Sequence, residues 1–206
     1  ISREEQDAFS LESHRKAAQA QAAGRFDDEV IPLLVSRRVA GKTVHEQVSA
    51  DECVNPGATC GLAEGYRPIF DRHVGTVTPF NSCPLSDGAA AALVMSADKA
   101  RELGLTPRAI VRSYAYAGVP PDIMGLGPAY AVPKALAGAG LSLSEIDLIE
   151  LNEAFAAQAL AVGRELERDG WDWERVNVHG GAIALGHPVG CTGTRFLITL
   201  PWPSLS

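Results

Sequence analysis

One glycine-rich stretch constrains the fold of this chain more than any other part of its sequence. Residues 177–195 read NVHGGAIALGHPVGCTGTR and hold five glycines, with His187 between a glycine and a proline. Glycine tolerates a positive φ and lets the backbone approach a neighbour closely, and proline fixes φ directly after the histidine. We therefore predict a rigid bend at His187, followed by a helix from about Gly190 to Leu200. The bend would hold the imidazole at the mouth of a pocket, and the alternative is a turn with a solvated histidine.

A second feature is the NEAF tetrapeptide at residues 152–155, which follows a short apolar segment. The pattern predicts a strand from Asp147 to Leu151, a helix from Glu153 to about Leu166 and a strand from Arg175 to Val178. This order of elements predicts two adjacent parallel strands. Asn152 would lie at the carboxyl end of the first strand, where ligands bind in open α/β sheets, or it would cap the helix.

The amino-terminal segment predicts a helix over residues 2–24. Ser2 and Glu5 form a capping-box pattern, and Gly24 would end the helix. We expect His14 to lie on the solvated polar side, opposite a buried apolar face. The residues assigned to that face are Ala8, Leu11, Ala18 and Ala22.

The middle of the chain gives less regular patterns. Residues 36–60 are polar and predict irregular structure. An alanine-rich run that is apolar all round predicts a buried helix over about residues 87–103. Residues 109–117 predict a strand, and residues 128–139 predict a helix that ends at Gly140.

Together, the glycine-rich stretch and the NEAF tetrapeptide resemble the signature of the thiolase family. They stand in the family's order at about the family's spacing, and the segments SREEQDAF, NSCPLSDGA and MGLGP are thiolase-like as well. The resemblance covers about residues 1–200 and is loose between residues 36 and 60. It implies an α/β fold of the thiolase type, with layered α/β/α halves, present here in incomplete form.

The resemblance also implies domain boundaries. Residues 1–82 would form part of the loop domain that thiolases carry inside their N-terminal half. Residues 83–105 would be a remnant of that half, and residues 106–206 a C-terminal thiolase domain truncated at its end. The last six residues do not fit the family pattern.

For the chemistry, the resemblance implies catalytic roles for His187 and Asn152. In the family, the GHP histidine keeps a nucleophilic cysteine as thiolate and donates a hydrogen bond to the thioester oxyanion. The family's asparagine positions a water that donates to the same oxyanion. Further positions match residues that line the channel for the pantetheine and acyl groups, and each is also an ordinary core residue on pattern alone. They are Phe70, Cys83, Met124, Ala154 and Phe155.

The cysteines of the chain do not stand in the family's catalytic contexts. The acyl-carrying cysteine would lie upstream of Ile1 and the proton-transferring one downstream of Ser206, so we expect a piece of a longer chain. Cys83 replaces a serine that meets the pantetheine arm, and a small buried cysteine is the alternative. Cys191 is expected to serve packing.

The function implied is a thiolase-type acyl transfer, in which acyl-CoA and acetyl-CoA exchange with 3-oxoacyl-CoA and free coenzyme A. We expect the chain alone to be inactive, because both catalytic cysteines are missing. The alternative is a non-catalytic, truncated thiolase-like chain that binds coenzyme A or a partner subunit. Acyl chain length and the degradative or biosynthetic direction are open.

Composition limits the partners. The net charge of −7 argues against nucleic acid and anionic membranes, and no apolar run reaches the roughly 18 residues of a membrane span. The four cysteines form no metal-binding pattern and predict reduced thiols in the cytoplasm, with an organelle matrix as an alternative. We expect coenzyme A thioesters as substrates, no separate cofactor, and a homo-oligomer (dimer or tetramer) for the full-length form.

Overall fold

The computed structural model describes residues 1–200, and the six terminal residues that do not fit the family pattern lie outside the described part. Its helices are α1 (Arg3–Ala22), α2 (Cys60–Glu64), α3 (Ala97–Glu102), α4 (Gly127–Ala139), α5 (Ala156–Leu166), α6 (Ala182–Leu185) and α7 (Val189–Thr199). Strands β1 (Leu33–Val39) and β2 (Lys42–Val48) form an antiparallel hairpin. Short 3-10 helices span Pro121–Leu126, Leu143–Glu145, Glu167–Asp169 and Trp173–Arg175.

Helix α1 begins and ends as the sequence predicts. The Ser2 hydroxyl oxygen accepts a hydrogen bond from the Glu5 N–H at 3.1 Å, and the Glu5 carboxylate accepts one from the Ser2 N–H at 2.6 Å. These two bonds satisfy backbone donors that the first turn of a helix leaves free. Gly24 follows the helix with a φ of 66°.

The predicted buried face of α1 is wrong, because the helix buries a polar face instead. Ala8 and Ala22 are exposed, while Ser13 and His14 are buried. His14 was predicted to be solvated, yet its Nδ1 accepts a hydrogen bond from the Asn55 N–H at 3.2 Å. Burial lowers the pKa of His14, which favours the neutral ring that this contact requires. The whole buried face consists of Gln6, Ser10, Ser13, His14, Ala17 and Ala20.

The prediction of irregular structure for residues 36–60 is also wrong in its first part, where the hairpin forms. Ala40 and Gly41 connect β1 to β2 with φ values of 49° and 79°. Two successive residues at positive φ make the type I′ turn that suits the twist of a two-residue hairpin. Alanine rarely takes this conformation. The turn also lacks the Asn-Gly or Asp-Gly pair that usually signals it, so the sequence did not predict the hairpin.

The predicted strand–helix–strand unit around NEAF is confirmed only in part. Helix α5 forms, beginning at Ala156, but the two predicted strands are reduced to one isolated bridge, and Arg175 lies in a 3-10 helix. Ile149 and Val176 form a parallel bridge, in which the Ile149 N–H donates to the Arg175 carbonyl and the Asn177 N–H donates to the Ile149 carbonyl, both at 2.9 Å. Helix α5 provides the crossover between them. One apolar core surrounds this unit, formed by Ala129, Leu143, Leu151, Ala159, Val162, Leu166 and Val176. A second core joins α1 to α6 through Ala17, Ala20, Phe26, Ala184 and Leu185.

The alanine-rich run does not form the predicted buried helix. Only α3 is helical within it, and residues 87–96 have no regular secondary structure and are largely exposed. A side chain at Gly88 would collide with the Pro188 ring, so the backbone packs closely there. Helix propensity is a weak tendency that such tertiary contacts override.

Residues 109–117 do not form the predicted strand, since no regular strand is present there among the described residues. Ser113, Ala115 and Ala117 are half-buried and alternate with exposed neighbours. The Ser113 hydroxyl donates to the Ala135 carbonyl of α4 at 2.7 Å. One side of the segment therefore lies on α4. Helix α4 itself ends at Gly140 in the left-handed conformation, which confirms that prediction.

The surface of the chain is large for its mass. The accessible area is 13598 Å², whereas a compact monomer of this size exposes about 9,300 Å². Exposed apolar side chains contribute to it, at Leu85 just before the alanine-rich run, at Leu93 and Val94 within it, and at Tyr114 and Tyr116. No helix within residues 1–200 is long and apolar enough to cross a membrane.

We expect the isolated chain to self-associate, because exposed apolar surface and open strand edges favour association. Size-exclusion chromatography with light scattering should show species larger than a monomer at micromolar concentration. A monodisperse monomer with a sharp cooperative melt would contradict this expectation.

A second prediction concerns Glu150, whose Oε2 is buried without a hydrogen-bond partner among the described residues. Burial raises the pKa of Glu150 from 4.5 to about 7, while Arg195 nearby opposes the rise. The folded chain therefore keeps a proton that the unfolded chain releases, so the free energy of unfolding falls as the pH rises through this window.

Replacing Glu150 by Gln should remove that penalty. We expect Glu150→Gln to increase the free energy of unfolding by up to about 3 kcal/mol near pH 8 and to have little effect near pH 4. Urea denaturation at low protein concentration, at both pH values, measures the difference. Equal effects at the two pH values would show that the carboxylate carries no such penalty.

Candidate active site

His187 lies at the bend between α6 and α7, as the glycine-rich stretch predicts. Helix α7 begins at Val189, within one residue of the predicted start. The His187 N–H donates to the Ser86 hydroxyl oxygen at 3.0 Å. This bond connects the bend to the residue that precedes the alanine-rich run. The ring is half-buried, so the bend holds it at the edge of the protein interior.

Thr192 sets the protonation pattern of the His187 ring. The Thr192 Oγ1 lies 2.7 Å from the ring Nδ1, and its hydroxyl donates to the Pro188 carbonyl at 3.1 Å. Since the single hydroxyl hydrogen is used for that carbonyl, Oγ1 accepts from the Nδ1–H. The neutral ring then carries its proton on Nδ1 and a free electron pair on Nε2, the form that can accept a proton on Nε2.

Asn152 contacts the other side of the same ring. Its side-chain Nδ2 lies 3.2 Å from the His187 Nε2, so the NEAF and GHP motifs meet. Helix α5 begins at Ala156 with Phe155 as the N-cap residue, which excludes the capping role for Asn152. The Asn152 Oδ1 is buried and has no hydrogen-bond partner within residues 1–200.

Behind this pair lies the buried carboxylate of Glu153. Its Oε2 accepts hydrogen bonds from the Ser13 hydroxyl at 2.7 Å and from the Ile183 N–H at 3.1 Å. Its Oε1 accepts one from the Asn177 Nδ2 at 2.8 Å. Burial raises the pKa of Glu153, and the hydrogen bonds from Ser13, Asn177 and Ile183 act against that rise.

Two glycines allow the loop to approach this carboxylate. Gly180 has a φ of 80° and packs so closely on α1 that a Cβ would lie 2.6 Å from the Ala17 Cβ. A Cβ on Gly181 would collide with the Glu153 carboxylate. The paired glycines therefore serve close backbone contact, as the sequence predicts, and the contacts are α1 and Glu153.

Four of the five predicted channel residues come together beside NEAF. The Cys83 N–H donates to the Ala154 carbonyl at 3.0 Å. The rings of Phe70 and Phe155 meet edge-on, with centroids 6.1 Å apart. The fifth, Met124, lies in the 3-10 helix Pro121–Leu126, which packs on α5, and its side chain is 74% exposed.

The four cysteines are unpaired thiols. Burial raises the pKa of Cys83 and of Cys53, so both thiols are held in the protonated form. Cys191 is buried, as expected for a packing residue, and Cys60 is exposed. Within residues 1–200, no cluster of His, Cys, Asp or Glu side chains is arranged to hold a metal ion.

Sequence reasoning missed five side chains that organise the site: Ser13, Ser86, Glu153, Asn177 and Thr192. Glu153 was recognised only as part of a motif, and its neighbours are small polar residues whose partners lie far along the chain. The spacing of His187 and Thr192 was a usable signal, since a hydroxyl five residues later on a new helix can turn back to the bend.

Asn177 has a φ of 46°, a conformation that asparagine tolerates.

Comparisons with known proteins agree with this arrangement. The family model for the thiolase N-terminal domain matches residues 1–98, and that for the thiolase C-terminal domain matches residues 105–202. The acetyl-CoA acetyltransferase of Cupriavidus necator is 52% identical over 204 residues, which cover 97% of this chain and 49% of that protein. The 3-ketoacyl-CoA thiolase of Bacillus subtilis is 51% identical over 205 residues, covering 97% and 51%. The chain thus spans about half the length of the curated relatives it matches.

Solved structures match as well. The Bacillus anthracis acetyl-CoA acetyltransferase superposes with a TM-score of 0.89 at 45% identity, over 97% of this chain and 48% of that one. The human mitochondrial 3-ketoacyl-CoA thiolase superposes with a TM-score of 0.83 at 38% identity, again over 97% and 48%. The predicted thiolase-type α/β fold is confirmed in its incomplete form. With both thiolase domain models matched and the two signature motifs in contact, this chain belongs to the thiolase family.

Proposed function

We propose that the protein built on this chain catalyses thiolase-type acyl transfer, in which acyl-CoA and acetyl-CoA exchange with 3-oxoacyl-CoA and free coenzyme A. The observation that carries the proposal is the contact between Asn152 and His187, at 3.2 Å. Two motifs 35 residues apart thereby place an imidazole and an amide at one point.

His187 acts first as a base. Thr192 holds the proton on Nδ1, so Nε2 can take the proton of a cysteine thiol and leave a thiolate, the form that attacks a thioester carbon. The protonated ring then carries an N–H at Nε2. That N–H donates to the oxygen on which negative charge develops as the thiolate adds to the carbonyl.

Asn152 contributes on the same side. Its buried Oδ1 is free to accept from a water, and a water held there turns its second hydrogen towards the oxyanion. A donor placed for the oxyanion is worth on the order of 10²–10³ in rate. The direct contact between the Asn152 amide and Nε2 gives way when a reacting oxygen or thiol occupies the ring nitrogen.

The remaining assignments follow from the same site. We assign Phe70, Cys83, Met124, Ala154 and Phe155 to the channel for the pantetheine and acyl groups, supported by the grouping of four of them beside NEAF. Coenzyme A thioesters are the substrates, and no separate cofactor is proposed. The full-length form is a homo-oligomer, and the unpaired thiols support a reducing compartment such as the cytoplasm.

We further propose that this 206-residue chain does not form an acyl-enzyme by itself. A nucleophile must be a thiolate that can approach the thioester carbon to about 3–3.5 Å while the oxygen faces the donors. Cys83 is the only cysteine expected near the pantetheine, and burial raises its pKa. Cys191 is buried in the packing of α7.

Incubation of the chain with acetyl-CoA, followed by intact mass measurement and peptide mapping, checks this. We expect no stoichiometric acetylation of any cysteine. Rapid acetylation of one cysteine that disappears in His187→Ala would show that the chain carries its own nucleophile.

The catalytic assignment is tested in a hybrid, in which this chain replaces the matching half of the Cupriavidus necator relative. We expect the hybrid to cleave a 3-oxoacyl-CoA in the presence of coenzyme A, and His187→Ala to lower kcat/KM by about 10²–10⁴. His179→Ala, which changes a histidine on the same loop, is the matched control and should retain activity.

The outcomes separate the two candidate functions. A loss of less than about tenfold in His187→Ala would contradict the catalytic role. A well-folded hybrid that binds coenzyme A without turnover would favour the non-catalytic alternative, a truncated thiolase-like chain that binds coenzyme A or a partner subunit.

A further inference from the structure

We propose that Glu153 is a positioning residue, whose buried carboxylate holds the glycine-rich loop so that His187 stays beside Asn152. The catalytic consequence of this inference rests on the function proposed above, whereas the positioning itself is a property of this chain. Glu153 contacts neither ring nitrogen of His187, and it would act through the loop that it binds.

The donors around Glu153 have fixed orientations. The Ser13 Oγ accepts from the Gly181 N–H at 3.1 Å, so its own hydrogen points to Glu153 Oε2. The Asn177 side chain is fixed by Leu151, whose N–H donates to Oδ1 and whose carbonyl accepts from Nδ2, both at 2.8 Å. The second hydrogen of Nδ2 then points to Glu153 Oε1.

Both oxygens of Glu153 must therefore accept hydrogen bonds. A carboxylate does this, whereas an amide presents N–H groups at one of the two positions. If glutamine turned its NH₂ towards Asn177, its N–H groups would face the N–H donor of the Asn177 side chain. In the opposite orientation, its N–H groups would face the Ile183 N–H. Substitution by glutamine thus keeps the shape of the side chain and breaks the contacts on one side.

The bound loop leads directly to the catalytic bend. Gly181 precedes α6, and Ile183 lies in its first turn. Helix α6 is four residues long and ends at Leu185, so Gly186 alone separates it from His187. No side chain at the N-cap position stabilises α6, and the Glu153 carboxylate satisfies its Ile183 N–H instead. Release of this contact frees the segment that carries the ring.

The same residue also fixes the other partner, because Glu153 follows Asn152 in the chain. Asn177 bonds to Leu151 and to Glu153, so it joins the end of the first parallel strand to the carboxylate. Ser13 adds helix α1 to the assembly from the opposite side. Leu151 and the glycine-rich stretch are thereby held together through Glu153 and Asn177.

Hydrogen–deuterium exchange of the chain, followed by mass spectrometry, measures the positioning directly. In Glu153→Gln we expect the amides of residues 180–187 to exchange about tenfold faster or more, as for a lost hydrogen bond to a buried charged group. Amides in α4 should change little. Glu150→Gln is the matched control, since it neutralises a buried glutamate three residues earlier and should not accelerate exchange in this segment.

Ser13→Ala is the milder variant, and it decides the question if Glu153→Gln does not fold. It removes one of the three donors and should accelerate exchange in residues 180–187 alone, by a smaller factor. Unchanged exchange in this segment, or an equal increase throughout the chain, would overturn the positioning role in either variant.

In the hybrid enzyme, Glu153→Gln should lower kcat by at least about tenfold and leave KM for the 3-oxoacyl-CoA within about a factor of two. A general loss of folded protein lowers the active fraction, so kcat is calculated from the folded fraction measured by circular dichroism. An active hybrid with unchanged kcat in Glu153→Gln would overturn the inference and leave the proposed function intact. An inactive parent hybrid would count against the proposed function, and exchange in the chain would still decide the positioning.

Discussion

The structure depends on one buried carboxylate that gathers donors from two distant parts of the chain. Glu153 accepts from α1 through Ser13 and from the glycine-rich stretch through Asn177 and Ile183. One apolar core lies around α5 and the other between α1 and α6. Apolar packing brings these cores together without direction, whereas the carboxylate specifies which atoms meet. The contact between Asn152 and His187 is a result of that specification.

The residues in the two motifs could be predicted from the sequence, whereas the residues that hold them in place could not. His187 and Asn152 belong to short motifs whose residue types carry chemistry, and the structure brings them together. The supporting residues are hidden because their partners are remote. Ser13 and Glu153 are 140 positions apart, and nothing in the local sequence around Ser13 indicates a buried carboxylate. The apolar pattern of α1 pointed to the wrong face for the same reason, since hydrogen bonds to remote partners bury Gln6, Ser13 and His14 beside Ala17 and Ala20.

Other differences arise from strands and turns. The alanine-rich run at residues 87–96 satisfies helix propensity, yet it is not helical, and Gly88 packs on the Pro188 ring. The hairpin at β1 and β2 turns through Ala40, a residue type that gives no turn signal. The crossover around α5 was predictable because its strands and helix follow one another in sequence. Sequence reasoning therefore recovered the motif residues and the helices with clear end signals, and it missed the turn through Ala40 and the contacts between distant supporting residues.

The polar face of α1 has a consequence for how this helix docks. An apolar helix can slide or rotate slightly on its neighbours, because dispersion contacts reform at many positions. Hydrogen bonds at Gln6, Ser13 and His14 reform at one rotation only, since a turn of about 100° per residue moves every donor and acceptor away. Helix α1 can therefore pack against the glycine-rich stretch at only one rotation about its axis. At any other rotation these hydrogen bonds are lost and the helix does not dock.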